Sequence, residues 1–155
     1  MKIDKDLGDL IFRALFCLIF IGLGGEHLLS DGLIMVLMPE WVPAPRLVSI
    51  LCGLWLSVWG GCLLLGWRVQ IAAVALGAFV IAVTLLVHFP GVFRYPPDLS
   101  PESYWAWDIL QRTNLVKNLC LLGVCVHLLR HEVGRYSLQA YLDGLRANQQ
   151  RPLGS

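Results

Sequence analysis

The sequence predicts an all-α integral membrane protein, an up-down four-helix bundle with both termini cytoplasmic and a C-terminal amphipathic helix. Three observations predict it. Four apolar runs, Leu10–Leu29, Leu47–Trp67, Val69–Phe89 and Leu115–Leu129, hold very little charge. A run of ~20 apolar residues matches the hydrocarbon thickness of a bilayer when coiled as a helix, and lipid obliges the backbone to satisfy its own hydrogen bonds. The composition agrees, because 57% hydrophobic and 15% charged residues depart from the balance of a soluble domain. A formal net charge of +1 gives a nucleic-acid role no support.

The first run is read as an uncleaved helix. Lys2 and Lys5 resemble a signal-peptide n-region, but Asp4, Asp6 and Asp9 dilute it. Gly22-Leu23-Gly24 is a poor cleavage site. Arg13 lies four residues after Asp9, where it is expected to snorkel to the interface and pair along the helix. The following segment, Asp31–Arg46, contains Met38-Pro39-Glu40-Trp41-Val42-Pro43-Ala44-Pro45; its prolines forbid a regular helix, and its apolar side chains suit a headgroup-level crossing.

Almost nothing joins the second and third spans, so Trp67-Arg68 implies a tight antiparallel hairpin. In the second span, Gly53 and Gly60 form a smooth stripe suited to helix packing, with Gly61 adjoining it, and Trp55 and Trp59 stack at helical spacing. The third connection, Gly91–Asn114, opens a short helix at Ser100-Pro101-Glu102, with an N-cap hydroxyl, a proline at the first position and an early acid. Tyr104, Trp105 and Trp107 place that helix on the outer membrane surface. After the fourth span, Leu138, Tyr141, Leu142 and Leu145 recur at helical spacing, an amphipathic helix for a membrane surface or a partner. The domains are thus residues 1–130, the membrane bundle, and 131–155, a cytoplasmic tail.

Basic residues set the orientation. Lys2, Lys5, Arg13, Arg68, Arg130, Arg135, Arg146 and Arg151 fall on one side of a four-span chain, and Arg46, Arg94, Arg112 and Lys117 on the other. The positive-inside rule therefore places both ends in the cytoplasm. Cys17, Cys52, Cys62, Cys120 and Cys125 all lie within spans and read as small buried hydrophobes. The final Leu153-Gly154-Ser155 carries no functional weight.

Ionisable groups in spans usually face a bundle interior, a cavity or a partner. Topology brings Glu26, His27, His88, Asn114, Lys117 and Asn118 to one depth in the outer leaflet. Facing inward, Glu26 and Lys117 would pair and the histidines would donate to a carbonyl, as in a mostly apolar site with a few convergent polar groups. Gly22, Gly24 and Gly25 would permit close helix approach or ligand entry. Simple hydration at the interface is the alternative, and haem ligation by His27 and His88 is a further one. His127 and His131 find no third metal ligand and read as solvated histidines at a helix C-terminus. No serine nucleophile with a base, phosphate-binding glycine loop or zinc spacing is present.

Gly24–Leu29, Met38–Pro45 and the glycine-rich helix that follows together resemble the DoxX family of four-helix bacterial membrane proteins. Arg13, Gly24, His27, Met38-Pro39-Glu40-Trp41-Val42-Pro43, Gly53, Gly60-Gly61, Ala72-Ala73, Lys117 and Gly123 carry the likeness, which covers Leu10 to Leu129. One departure is Leu56, where the family often has a glutamate; Glu26 is the candidate to replace its role. The resemblance implies a small inner-membrane subunit of a redox complex, like the subunits of thiosulfate:quinone oxidoreductase, anchoring a catalytic partner. With it comes the expectation of a quinone in the outer polar cluster. The alternatives are a non-enzymatic assembly or scaffold protein and, third, a small-molecule transporter.

Overall fold

A computed structural model describes residues 4–30 and 32–149. Lys2, Asp31, Arg151 and the last three residues lie outside the described residues. Helices make up most of the described backbone, and no strand occurs among the described residues. The elements are α1 (Lys5–Leu29), a short α2 (Gly32–Leu37), α3 (Pro45–Leu64), α4 (Val69–Gly91), α5 (Tyr104–Leu128) and α6 (Leu138–Gln149).

Three of these, α1, α3 and α4, are long and apolar enough to cross a membrane. The fourth long helix, α5, is more polar because Asp108, Gln111, Arg112, Asn114, Lys117 and Asn118 crowd its first half. Here the structure differs from the expected surface helix followed by a separate span. No glycine or proline interrupts Tyr104–Ala106 through Cys120, so one 25-residue helix forms. It is held upright at its start, where Trp107 Nε1 donates to Gly91 O at 2.8 Å.

Local chemistry sets the boundaries. Asp4 caps α1 by accepting from Asp6 N at 3.1 Å. Pro45 occupies the first turn of α3, where its missing N–H costs nothing, after Ala44 turns the chain in the left-handed region. Between α3 and α4 the chain reverses through Gly66, at φ +66°, and Arg68, at φ 49°. Inside α4 the residues Thr84–His88 widen into a π-helical turn, and Thr84 Oγ1 donates back to Val80 O at 2.6 Å.

Helix α1 packs against α3, α3 against α4, and α4 against α5. The first contact is the tightest because glycines face each other. A Cβ on Gly24 would lie 3.0 Å from Gly53 O, and one on Gly60 3.1 Å from Ile21 Cγ1. The stripe formed by Gly53 and Gly60 is therefore covered by α1 and offers no face to an outside partner, whereas Gly61 and Gly22 look into open space. Cys17 and Phe20 of α1, Leu56 and Leu63 of α3, Leu76 and Val80 of α4, and Cys125 and Leu128 of α5 fill the shared core. Along the outside, Leu15, Leu18, Leu51, Val58, Val74, Val116 and Leu119 stay more than half or nearly half exposed, as a lipid-facing surface requires.

Candidate functional site

Polar side chains gather at both ends of the long helices. At the end where α4 finishes, the π-helical turn carries Thr84 and His88, one helical turn apart, toward α5. His88 Nδ1 meets Gln111 Oε1 at 2.9 Å, and Asn118 Nδ2 donates to Thr84 Oγ1 at 2.9 Å. Gln111 is fully buried, and its Nε2 is a buried side-chain polar atom without a partner among the described residues. Gly91 presses on the same amide; a Cβ there would lie 2.7 Å from Gln111 Cδ.

The six residues expected to share a site divide into smaller groups. His27 Nδ1 lies 3.0 Å from Ser49 Oγ, which in turn donates to His27 O at 3.3 Å, so His27 belongs to the α1–α3 contact. His88 and Asn118 belong to the α4–α5 contact. Lys117 Nζ donates to Asn114 Oδ1 at 2.8 Å, one turn back on its own helix. Glu26 is not among the described ion pairs, and the expected Glu26–Lys117 pair is absent from them. Sequence reasoning missed Ser49, Thr84 and Gln111. A signal for two of them exists in spacing: Gln111, Asn118 and Cys125 recur every seven residues, and Thr84 precedes His88 by four.

At the opposite end Arg13 makes the densest polar network among the described residues. It does not snorkel: the side chain is fully buried. Nε donates to Asp9 Oδ2 at 3.0 Å, Nη1 to Leu64 O at 2.5 Å and Nη2 to Tyr136 O at 2.7 Å. One guanidinium thus ties the start of α1 to the α3–α4 turn and to the segment before α6. A snorkelled arginine would leave Leu64 and Tyr136 without that donor, and the fork geometry of the guanidinium suits several acceptors at once.

His131 is likewise engaged rather than solvated. Its Nε2 contacts Asp9 Oδ1 at 2.5 Å, while Gly134 N donates to Asp9 Oδ2 at 3.1 Å. Arg135 adds an exposed pair with Asp4 at 2.7 Å, and its backbone N–H donates to Asp6 Oδ1 at 3.2 Å. Residues 131–137 are therefore fastened to the bundle, and the first residue of α6 is too, Leu138 N donating to Leu65 O at 2.8 Å, while the rest of α6 has no buried residue.

A hollow of about 230 Å³ opens beside this network, between the first turns of α1 and the end of α5. No group of three or more His, Cys, Asp or Glu side chains among the described residues has the geometry to hold a metal ion. All five cysteines are free thiols. No family model matches the chain, and no curated protein and no solved structure matches it either.

Proposed function

We propose that the protein is a small accessory subunit of a bacterial redox complex, embedded in the inner membrane as a four-helix bundle of DoxX type. The observation that carries the reading is how little of each apolar helix the chain covers. Only 28%, 33% and 33% of the apolar windows of α1, α3 and α4 are buried within it. The remainder calls for lipid or for the helices of a partner. In this reading α5 is the fourth crossing. The bonds from Asp9 and Arg13 to His131, Gly134 and Tyr136 hold the start of α1 beside the segment after α5, which supports an even number of crossings. That side is the cytoplasm by the positive-inside rule.

The chain then anchors a catalytic partner, and a quinone headgroup enters the outer polar end. In this reading His88 donates to a quinone carbonyl with Lys117 and Asn118 beside it on the α4–α5 side, and His27 with Glu26 is the other candidate donor, on the α1–α3 side. Gln111 Nε2, buried without a partner, supports a ligand acceptor at that end. A second reading is a non-catalytic assembly protein. It draws on the bonds of His27 to Ser49, His88 to Gln111 and Asn118 to Thr84, each between neighbouring helices, which are what helix-packing roles would produce.

Affinity purification from native membranes in mild detergent separates the two. A stoichiometric flavin, haem, copper or iron–sulfur protein is the expected companion. With the complex in hand, Lys117→Ala or His88→Ala should abolish quinone-dependent turnover while assembly persists. A non-redox client, or normal turnover in both variants, would overturn the first reading.

A further inference from the structure

The hollow beside the Arg13 network has a lining whose free groups describe a ligand. Its wall is formed by Gly8, Phe12, His127, His131 and Gly134, with Asp9 behind and Lys5 and Glu132 at the rim. Both carboxylate oxygens of Asp9 are already used, by His131, Arg13 and Gly134 N. His131 is held by the same carboxylate. The side chains of Lys5, His127 and Glu132, in contrast, are in no hydrogen bond or ion pair among the described residues, and the His127 ring only borders that of His131, 6.3 Å between centroids. The hollow thus offers a cation, an imidazole and an anion around the ring of Phe12. Lys5 and Glu132 do not close on each other, which leaves space between them for a group carrying both charges.

Depth and surface narrow the choice. The apolar run of α1 begins at Leu10, so Lys5 and Gly8 stand at headgroup level when that helix crosses a membrane. Below the hollow, one face of α5 continues from His127 through Gly123 and Cys120 to Val116, at intervals of three or four residues. Val116 is 60% exposed, Cys120 is exposed and Gly123 has no atom within 4 Å of its would-be Cβ. Leu15, three residues after Phe12 on α1, is 65% exposed. A polar pocket with two charges therefore sits on top of an apolar track.

We propose that this hollow binds the headgroup of a zwitterionic phospholipid bearing a primary amine. Lys5 and His127 take the phosphate, Glu132 takes the ammonium, and an acyl chain runs down past Gly123 and Cys120. A phosphate accepts from a lysine ammonium and an imidazole N–H, and a primary ammonium offers three donors to a carboxylate. A quaternary ammonium offers none, which makes choline the discriminating comparison. The inference needs only that α1 and α5 lie in a membrane, so it stands apart from the redox assignment.

The test uses the full chain, delipidated in detergent and exposed to vesicles of phosphatidylethanolamine, phosphatidylcholine and phosphatidylglycerol with identical acyl chains. Lipid retained per chain is counted by native mass spectrometry. Phosphatidylethanolamine should be retained over phosphatidylcholine by about fivefold, the scale of one exposed charge pair. Glu132→Gln should erase that preference, and Lys5→Gln should weaken retention of both lipids. Neither side chain is in a hydrogen bond or ion pair among the described residues, so both variants are expected to keep the fold. Equal retention of the two lipids, survival of the preference in Glu132→Gln, or a preference for phosphatidylglycerol would each overturn the assignment.

Discussion

Arg13→Met is the perturbation that most directly tests how the chain holds its ends together. Methionine fills much of the aliphatic volume of arginine but removes every donor. Leu64 O and Tyr136 O then lose the side-chain donor they have, and Asp9 Oδ2 loses one of its two donors. Breaking a buried ion pair by deleting one partner costs about 3–5 kcal/mol, because the surviving charge is left uncompensated. Here Asp9 keeps His131 and Gly134 N, which places the loss near the lower end. Each carbonyl stripped of its donor adds about 1–3 kcal/mol where water cannot replace it. These contributions share one site and do not simply add, so the expected loss is about 3–4 kcal/mol. The double variant Asp9→Leu/Arg13→Met removes both charges. It should cost less than the two single changes summed, by about 1–3 kcal/mol. Far-UV ellipticity during denaturant unfolding in mixed micelles reads the stability, and protease cleavage between Arg130 and Leu138 reads release of the strap. An Arg13→Met protein within about 0.5 kcal/mol of the unaltered chain, with the strap still protected, would refute the reasoning.

Two further outcomes follow from the same geometry. Gly24→Ala should destabilise by about 1–3 kcal/mol, since its Cβ would clash with Ser57 Oγ and press on the Gly53 carbonyl at 3.0 Å, whereas Gly61→Ala should lie within about 0.5 kcal/mol. Thermal melting in detergent compares them, and equal effects would mean that the α1–α3 contact is looser than described. Asn118→Leu removes the donor to Thr84, whose hydroxyl keeps its bond to Val80 O. A loss of about 1 kcal/mol is expected in the same assay, and no change would show that this amide contributes nothing to the α4–α5 contact.

Much of the architecture was legible in order along the chain, for a simple physical reason. Hydrophobic runs, prolines and caps act locally, so α1, α3, α4 and the tight Gly66–Arg68 reversal follow from residues near them. The surface helix expected after Ser100 was misplaced because Tyr104, Trp105 and Trp107 suit a membrane interface as well as the first turn of a long helix. What decided between these was Trp107 reaching Gly91 O and Gln111 reaching His88, both contacts made across a loop.

The polar groups divide along the same line. The expectation that Glu26, His27, His88 and Lys117 share a depth comes from counting residues along spans. Which of them meet depends on how each helix is rotated, and rotation is set by packing at every other position. His27 therefore turns to Ser49 on α3, and His88 to Gln111 on α5. Arg13 shows the contrast most clearly. Its spacing from Asp9 is local and predicts their pairing, but its burial depends on two carbonyls, one 51 and the other 123 residues away along the chain. Sequence by itself determined that this chain is helical, apolar and suited to a membrane, because those properties are sums over neighbours. Only the tertiary structure decided which polar atoms are satisfied and which, like Gln111 Nε2, are not, because a hydrogen bond depends on where two distant residues end up.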